Sequence, residues 1–93
     1  MAEPKGWTFV TSHAVLLIEV KRNRNSTVRE LAARAGLTER QTHRVLADLV
    51  ESGYLERQRV GRRNSYRVND HAPLRHPSVK AQQIGDLLEA LGA

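Results

Sequence analysis

The residues of this chain that are best suited to chemistry are arginines, and they are concentrated in two short segments. Arg40 and Arg44 are four residues apart, a spacing that places both guanidinium groups on one face of a helix. Residues 55 to 68 have Glu56 as their only acid, and their arginines are Arg57, Arg59, Arg62, Arg63 and Arg67. Because a guanidinium fork pairs with phosphates and with guanine edges, we expect a nucleic-acid ligand.

The composition fits such a ligand. The 93 residues include 15 Lys+Arg and 10 Asp+Glu, which gives a formal net charge of +5, and most of the basic residues are arginine. Cysteine is absent, which excludes disulfides, thiolate metal sites and cysteine nucleophiles. The longest apolar run, Ala14 to Ile18, is too short to span a bilayer. We therefore expect a single cytoplasmic domain over residues 1–93 with no membrane partner.

The elements that position the arginines begin with two predicted helices. Residues 13 to 22 are mostly apolar, which is typical of a helix at the centre of a core. Thr27 followed by Glu30 is a capping-box pattern and predicts a second helix from Val28 to Ala35. Gly36 is expected to end that helix, because glycine takes the left-handed conformation without steric cost.

A third helix is predicted over residues 38 to 52. Thr38 and Gln41 repeat the capping-box pattern at its start. At 100° per residue its apolar side chains gather on one face, so Arg40 and Arg44 lie on the opposite face. Two short helices joined by a turn with glycine are typical of a helix-turn-helix, whose second helix enters the major groove of DNA.

The outer face of this third helix carries the donors that base edges and phosphates require. Arg40 and Arg44 are each expected to bond a guanine, and Gln41 an adenine. Thr38 at the helix start is expected to hold a phosphate, and His43 at the side of the face to contact a phosphate or a base. The alternative is that these residues form the solvated face of a surface helix.

The second group of arginines lies in a predicted β-hairpin. Two strand-like runs, 54 to 60 and 65 to 68, flank a basic tip at 61 to 64. Its arginines and the tip asparagine are expected to contact the DNA backbone or minor groove, and they are Arg57, Arg59, Arg62, Arg63 and Asn64. The alternative is an edge hairpin that charge protects from aggregation.

The two ends of the chain carry the remaining apolar residues. Residues 1 to 10 are predicted as an irregular arm, and residues 78 to 91 as an amphipathic C-terminal helix. The candidates for a dimer interface are Trp7, Phe9, Ile84, Leu87, Leu88 and Leu91. The alternative is that this helix folds back on its own core. A two-fold dimer would place the third helices roughly 34 Å apart and would require a near-palindromic operator.

Signals of enzymatic or metal chemistry are weak. His71 and His76 are five residues apart beside Asp70, and a zinc site would need further ligands. The chain contains neither a glycine-rich phosphate loop nor a nucleophile elbow. We therefore predict no enzyme activity, no cofactor and no metal site.

The pattern STVRELAARAGLTERQTHRVLADLVESGYLERQRVGRRNSYRV resembles the winged helix-turn-helix of bacterial MarR- and ArsR-type transcription regulators. The resemblance is strongest over residues 27 to 68 and implies a three-helix core with a β-wing, dimerisation and operator binding. It also implies that the third helix reads the major groove and that Arg62 and Arg63 touch the backbone or minor groove. The cysteine, histidine and carboxylate ligands of ArsR-type sensors are missing here, and no small-molecule effector is indicated.

The fold predicted from these features is mainly α with a small β-hairpin, a winged helix-turn-helix with an extra C-terminal helix. The predicted function is sequence-specific binding of double-stranded DNA by a transcriptional regulator, acting as a repressor. Two alternatives stay open at this point. One is a winged-helix module for protein interaction, and the other is an architectural protein that binds DNA without sequence preference.

Overall fold

The computed structural model describes residues 9–93, so Trp7 and most of the predicted arm lie outside the described residues. Four helices and one antiparallel hairpin confirm the predicted mainly helical fold with a wing and a C-terminal helix. The elements are α1 Ser12–Arg22, α2 Val28–Ala35, α3 Glu39–Glu51, β1 Leu55–Val60, β2 Arg63–Val68 and α4 Ile84–Ala90. Within residues 9–93 no helix is long and apolar enough to cross a bilayer.

The predicted capping box begins α2. The Thr27 hydroxyl accepts a hydrogen bond from the Glu30 N–H at 3.1 Å, and the Glu30 carboxylate accepts one from the Thr27 N–H at 2.9 Å. Gly36 ends the helix with a φ of 70°, the left-handed conformation that favours glycine. The turn between α2 and α3 is thus fixed by local chemistry, as the sequence predicts.

The core lies between the first three helices, the base of the hairpin and α4. Its fully buried leucines come from five different elements, and they are Leu16, Leu31, Leu46, Leu55 and Leu88. Tyr66 of β2 is also buried, and its partner across the hairpin is Arg57 of β1. The base of the hairpin is therefore part of the core, whereas its outer half extends away from it.

The hairpin has a shorter turn than predicted. Val60 pairs with Arg63, so only Gly61 and Arg62 lie between the strands. Gly61 has a φ of 62°. In the described part of the chain, only glycines have a positive φ. A two-residue turn with glycine first matches the twist of a hairpin. Arg63 and Asn64, predicted at the tip, are therefore residues of β2.

The C-terminal helix differs from the prediction in length. It begins at Ile84 rather than at residue 78, because Gln83 is extended and forms an isolated antiparallel bridge with Pro73. The Leu74 N–H donates to the Gln82 carbonyl at 2.9 Å, and the Ile84 N–H to the Ala72 carbonyl at 2.8 Å. These bonds hold the segment before α4 in an extended conformation.

The apolar side chains of α4 are divided between two environments. Ile84 and Leu88 are 4% and 0% exposed and pack in the core of the same chain, so the prediction that they face a partner was wrong. Leu87 and Leu91 are each 38% exposed. Only these two leucines of the helix are therefore available to an external partner.

Gly85 allows α4 to lie close to the loop that follows the hairpin. A Cβ atom at this position would lie 2.8 Å from the Asp70 Cβ, and the Gly85 N–H donates to the Asp70 carbonyl at 2.9 Å. The Asp70 carboxylate in turn pairs with Lys21 of α1. Asp70 thus joins the first and last helices, and only glycine fits beside it.

Candidate nucleic-acid interface

The outer face of α3 has the orientation that helical phase predicts. Its buried side chains are Thr42, Val45, Leu46 and Leu49, all on the side toward the core. Arg40, His43 and Arg44 are exposed on the other side. Because the buried face fixes the rotation of the helix, the two arginines are held one turn apart and pointed away from the core.

The start of α3 differs in one respect from the predicted site. The Thr38 hydroxyl accepts from the Gln41 N–H at 3.0 Å, and the Gln41 Oε1 accepts from the Thr38 N–H at 2.9 Å. Reading adenine requires that same amide oxygen to accept from the base. Gln41 therefore caps α3 in this conformation, and to pair with adenine its amide oxygen would have to accept a second hydrogen bond or leave the box. The hydroxyl of Thr38 is likewise engaged in the box.

The arginines of the hairpin fall into two classes. Arg67 donates to the Glu56 carboxylate at 2.7 Å, which neutralises the only acid of the hairpin. Arg57, Arg59 and Arg62 take part in no ion pair with another residue of the described part of the chain. The charge of these three guanidinium groups is thus available to an external anion.

The register places the charged side chains on both faces of the hairpin. Arg57 lies opposite Tyr66, and Arg59 opposite Asn64, so all four residues lie on one face of the hairpin. This is the face on which Tyr66 is buried against the core. Arg63 lies on the other face and donates to the Asn25 carbonyl at 2.6 Å. This bond ties the outer half of the hairpin to the connection between α1 and α2.

Three other cations, Lys21, Arg22 and Arg34, are paired away from this surface. Arg34 lies 3.9 Å from both Glu19 and Glu30 and donates to the Ser26 hydroxyl at 2.7 Å, which holds α1 and α2 together. Lys21 pairs with Asp70. The unpaired positive charge of the described residues is therefore weighted toward α3, the hairpin and the region beside them.

Three of the predicted dimer residues are exposed. Leu87 and Leu91 are exposed on α4, and Phe9 is 93% exposed just before α1. These three residues thus lie on parts of the chain that carry none of Arg40, Arg44, Arg57, Arg59 and Arg62.

Comparison with known proteins identifies the family. A search of curated proteins found no match to the chain. The family model of the MarR family matches residues 8–63, which include α1, α2, α3 and β1. The match stops at the first residue of β2, so most of that strand and α4 lie beyond it. Because more than half of the chain is matched, the protein belongs to the MarR family of winged-helix, DNA-binding transcription regulators.

Proposed function

We propose that the protein is a sequence-specific repressor that places α3 in the major groove of double-stranded DNA. The observation that carries this proposal is the pair Arg40 and Arg44, exposed on a helix whose other face is fully committed to the core. Bidentate bonds to guanine need a guanidinium group held in a defined orientation. A helix anchored by four buried side chains supplies that orientation.

His43 lies beside the two arginines and extends the same surface. Its imidazole is exposed, so it is in a position to donate to a phosphate at the edge of the groove. The capping box of Thr38 and Gln41 holds the N-terminal end of α3 in place, and this is the end that enters the groove in helix-turn-helix proteins. We assign sequence specificity to Arg40 and Arg44. The surrounding residues of α3 hold these two arginines in the orientation that base contacts require.

The hairpin supplies affinity in this proposal. Arg57, Arg59 and Arg62 are unpaired within residues 9–93, and Asn64 adds a neutral donor on the face of Arg57 and Arg59. Neutralising phosphates releases counterions, which strengthens binding to any duplex and makes it salt-dependent. The wing therefore holds the backbone or minor groove while α3 reads bases.

We further infer that the protein acts as a homodimer. Leu87 and Leu91 leave an apolar strip on α4, and Phe9 adds an exposed aromatic ring. A two-fold dimer would present two copies of α3 roughly 34 Å apart to a near-palindromic operator. Sedimentation with and without DNA tests this point, and a monomer under both conditions at micromolar concentration would contradict it.

Binding of this kind represses by occupying promoter DNA. The ligand is chromosomal DNA, so we place the protein in the cytoplasm.

Selection from a random duplex library at about 0.15 M salt tests the proposal. We expect a near-palindromic sequence with guanine at the positions read by Arg40 and Arg44 to be enriched. Tight binding without enrichment would indicate an architectural protein instead. Failure to bind any duplex would favour the protein-interaction alternative.

A further inference from the structure

We propose that Arg24, in the connection between α1 and α2, forms a third contact to the DNA backbone together with the wing. This inference rests on the proposed mode of DNA binding and adds a phosphate site to it. The short basic run from Lys21 to Ser26 lies outside both the predicted helix contacts and the predicted wing contacts.

Arg24 is held at the corner of a tight turn. The Ser26 N–H donates to the Asn23 carbonyl at 3.2 Å, which places Arg24 and Asn25 at the two central positions of the turn. The Asn23 N–H donates to the Glu19 carbonyl at 3.0 Å and continues the end of α1. The Ser26 hydroxyl accepts from Arg34 at 2.7 Å. Both ends of the turn are thus fastened, and its corner is exposed.

A groove separates this turn from the wing, and we call it the turn–wing groove. It has a volume of about 100 Å³ and is lined by Arg24, Asn25, Val60, Arg63, Asn64 and Ser65. The bond from Arg63 to the Asn25 carbonyl crosses it at 2.6 Å. The lining therefore contains two guanidinium groups, two amides and a hydroxyl, and no carboxylate. This is the set of donors that binds a phosphate oxygen.

Two neighbouring grooves that Arg24 also lines are different. One contains Glu56 and Asp70, and the other contains Glu30. A carboxylate at such a place repels a phosphate. The groove with Glu30 also contains Arg22 and Arg34, but Arg34 is paired with Glu30. Among these three grooves, only the turn–wing groove has no carboxylate in its lining.

Arg24 also differs from Arg22, which lies two residues before it. Arg22 lies 3.9 Å from a Glu19 oxygen and 3.5 Å from the Leu91 carbonyl, so it faces α4. Arg24 is exposed and takes part in no ion pair with another residue between 9 and 93. The two arginines carry the same charge, Arg22 at the end of α1 and Arg24 in the connection that follows, but only Arg24 lines the groove beside the wing.

The proposed ligand is one backbone phosphate of the duplex that α3 and the wing bind. Val60 and Arg63 are the residues on either side of the Gly61–Arg62 turn, so the groove lies beside the tip of the wing. A strand whose phosphate reaches Arg62 brings another phosphate close to the groove, because phosphates of one strand follow each other at about 3.4 Å along the axis. Arg24 and Arg63 would then hold this phosphate from two sides.

The test compares Arg24→Gln with Arg22→Gln, which remove the same charge. Arg24→Gln is expected to weaken binding to the selected operator and to a random duplex by the same factor, roughly tenfold at low salt, and to reduce the slope of log K against log salt by about 0.9. Arg22→Gln is expected to leave the slope unchanged. Thermal unfolding followed by circular dichroism verifies that both variants fold.

A second measurement locates the phosphate. Duplexes with one neutral methylphosphonate at each successive backbone position should include one that weakens binding by the wild type and by Arg22→Gln, but not by Arg24→Gln. Equal losses for the two variants, or the lack of such a position, would overturn the inference while duplex binding itself persists. Failure of the wild type to bind any duplex would overturn the proposed function and this inference with it.

Discussion

The third helix and the wing both present arginines, but the chain supports them in different ways. α3 buries four side chains and is fixed at its start by two hydrogen bonds of a capping box. In the hairpin only Leu55 and Tyr66 are buried, and the outer half is tied to the rest of the chain through Arg63 and Asn25. Base reading needs fixed angles, whereas attraction to phosphates tolerates movement. The difference in support thus matches the division between specificity and affinity.

The largest expected effect comes from the arginines of α3. Arg40→Ala or Arg44→Ala should cost about 1 to 3 kcal/mol on the selected operator and should relax the base preference at one position. Titration of operator and random duplexes by fluorescence anisotropy measures both quantities. Arg75→Ala, which removes an arginine bonded to Ser52 beyond the other end of α3, is the control. Equal losses on both duplexes would remove the distinction between helix and wing.

Substitutions in the wing should weaken DNA binding without changing the base preference. Arg62→Ala combined with Arg63→Ala is expected to weaken binding to all duplexes by the same factor and to reduce the salt slope by about 1.8, because two phosphate contacts are lost. The double variant Arg67→Ala with Arg75→Ala removes the same net charge from residues that are bonded to Glu56 and Ser52. If this control reduces the salt slope as much as the Arg62 and Arg63 substitutions do, the assignment of phosphate contacts to the wing is wrong.

Gln41 tests whether α3 residues at the helix start read bases or only support the helix, because the sequence predicts a base contact and the structure shows a cap. Gln41→Ala should lower the free energy of unfolding by about 1 kcal/mol, whereas Gln41→Glu should retain the box. Chemical unfolding measures the stability, and the duplex selection measures the base preference. A changed preference at an adenine position in Gln41→Glu, which keeps the box, would restore the base-reading role.

The smallest expected effect distinguishes the two capping boxes by pH. Hydrogen bonds from the Thr27 backbone and hydroxyl, with smaller contributions from Arg34 and Arg63, lower the pKa of Glu30 below its ordinary value of 4.5. A lowered pKa stabilises the folded state above pH 4.5, and this contribution is lost as pH falls through the folded-state pKa. Thermal unfolding between pH 7 and pH 3 should therefore show a smaller acid loss in Glu30→Gln than in the wild type. Identical pH profiles would show that the box of α2 depends no more on charge than that of α3.

Local patterns predict the helix-turn-helix well. The boxes at Thr27 and Thr38 and the left-handed Gly36 depend on residues within one turn of each other, so the sequence contains the whole interaction. The face of α3 follows from helical period alone. The family match agrees with this, since it covers α1 to β1.

The errors arise where distant residues interact. The start of α4 is set by pairing with Pro73, and its periodicity does not indicate which of its leucines meet the core. The predicted tip of the hairpin, 61 to 64, is two residues longer than the observed turn Gly61–Arg62. The polar residues at 63 and 64 gave no sign that the second strand begins there. Arg24 gains its significance only from the bond between Arg63 and Asn25, which joins residues 38 positions apart.

Gly85 has a consequence for the reach of the whole assembly. The contact with Asp70 leaves no space for a side chain, so it determines how closely and at what angle α4 packs against the loop after the hairpin. In a two-fold assembly through Leu87 and Leu91, a change in that angle would rotate one DNA-binding half against the other. In the proposed dimer, the number of base pairs between two half-sites would then depend on a glycine that lies outside both proposed contact surfaces.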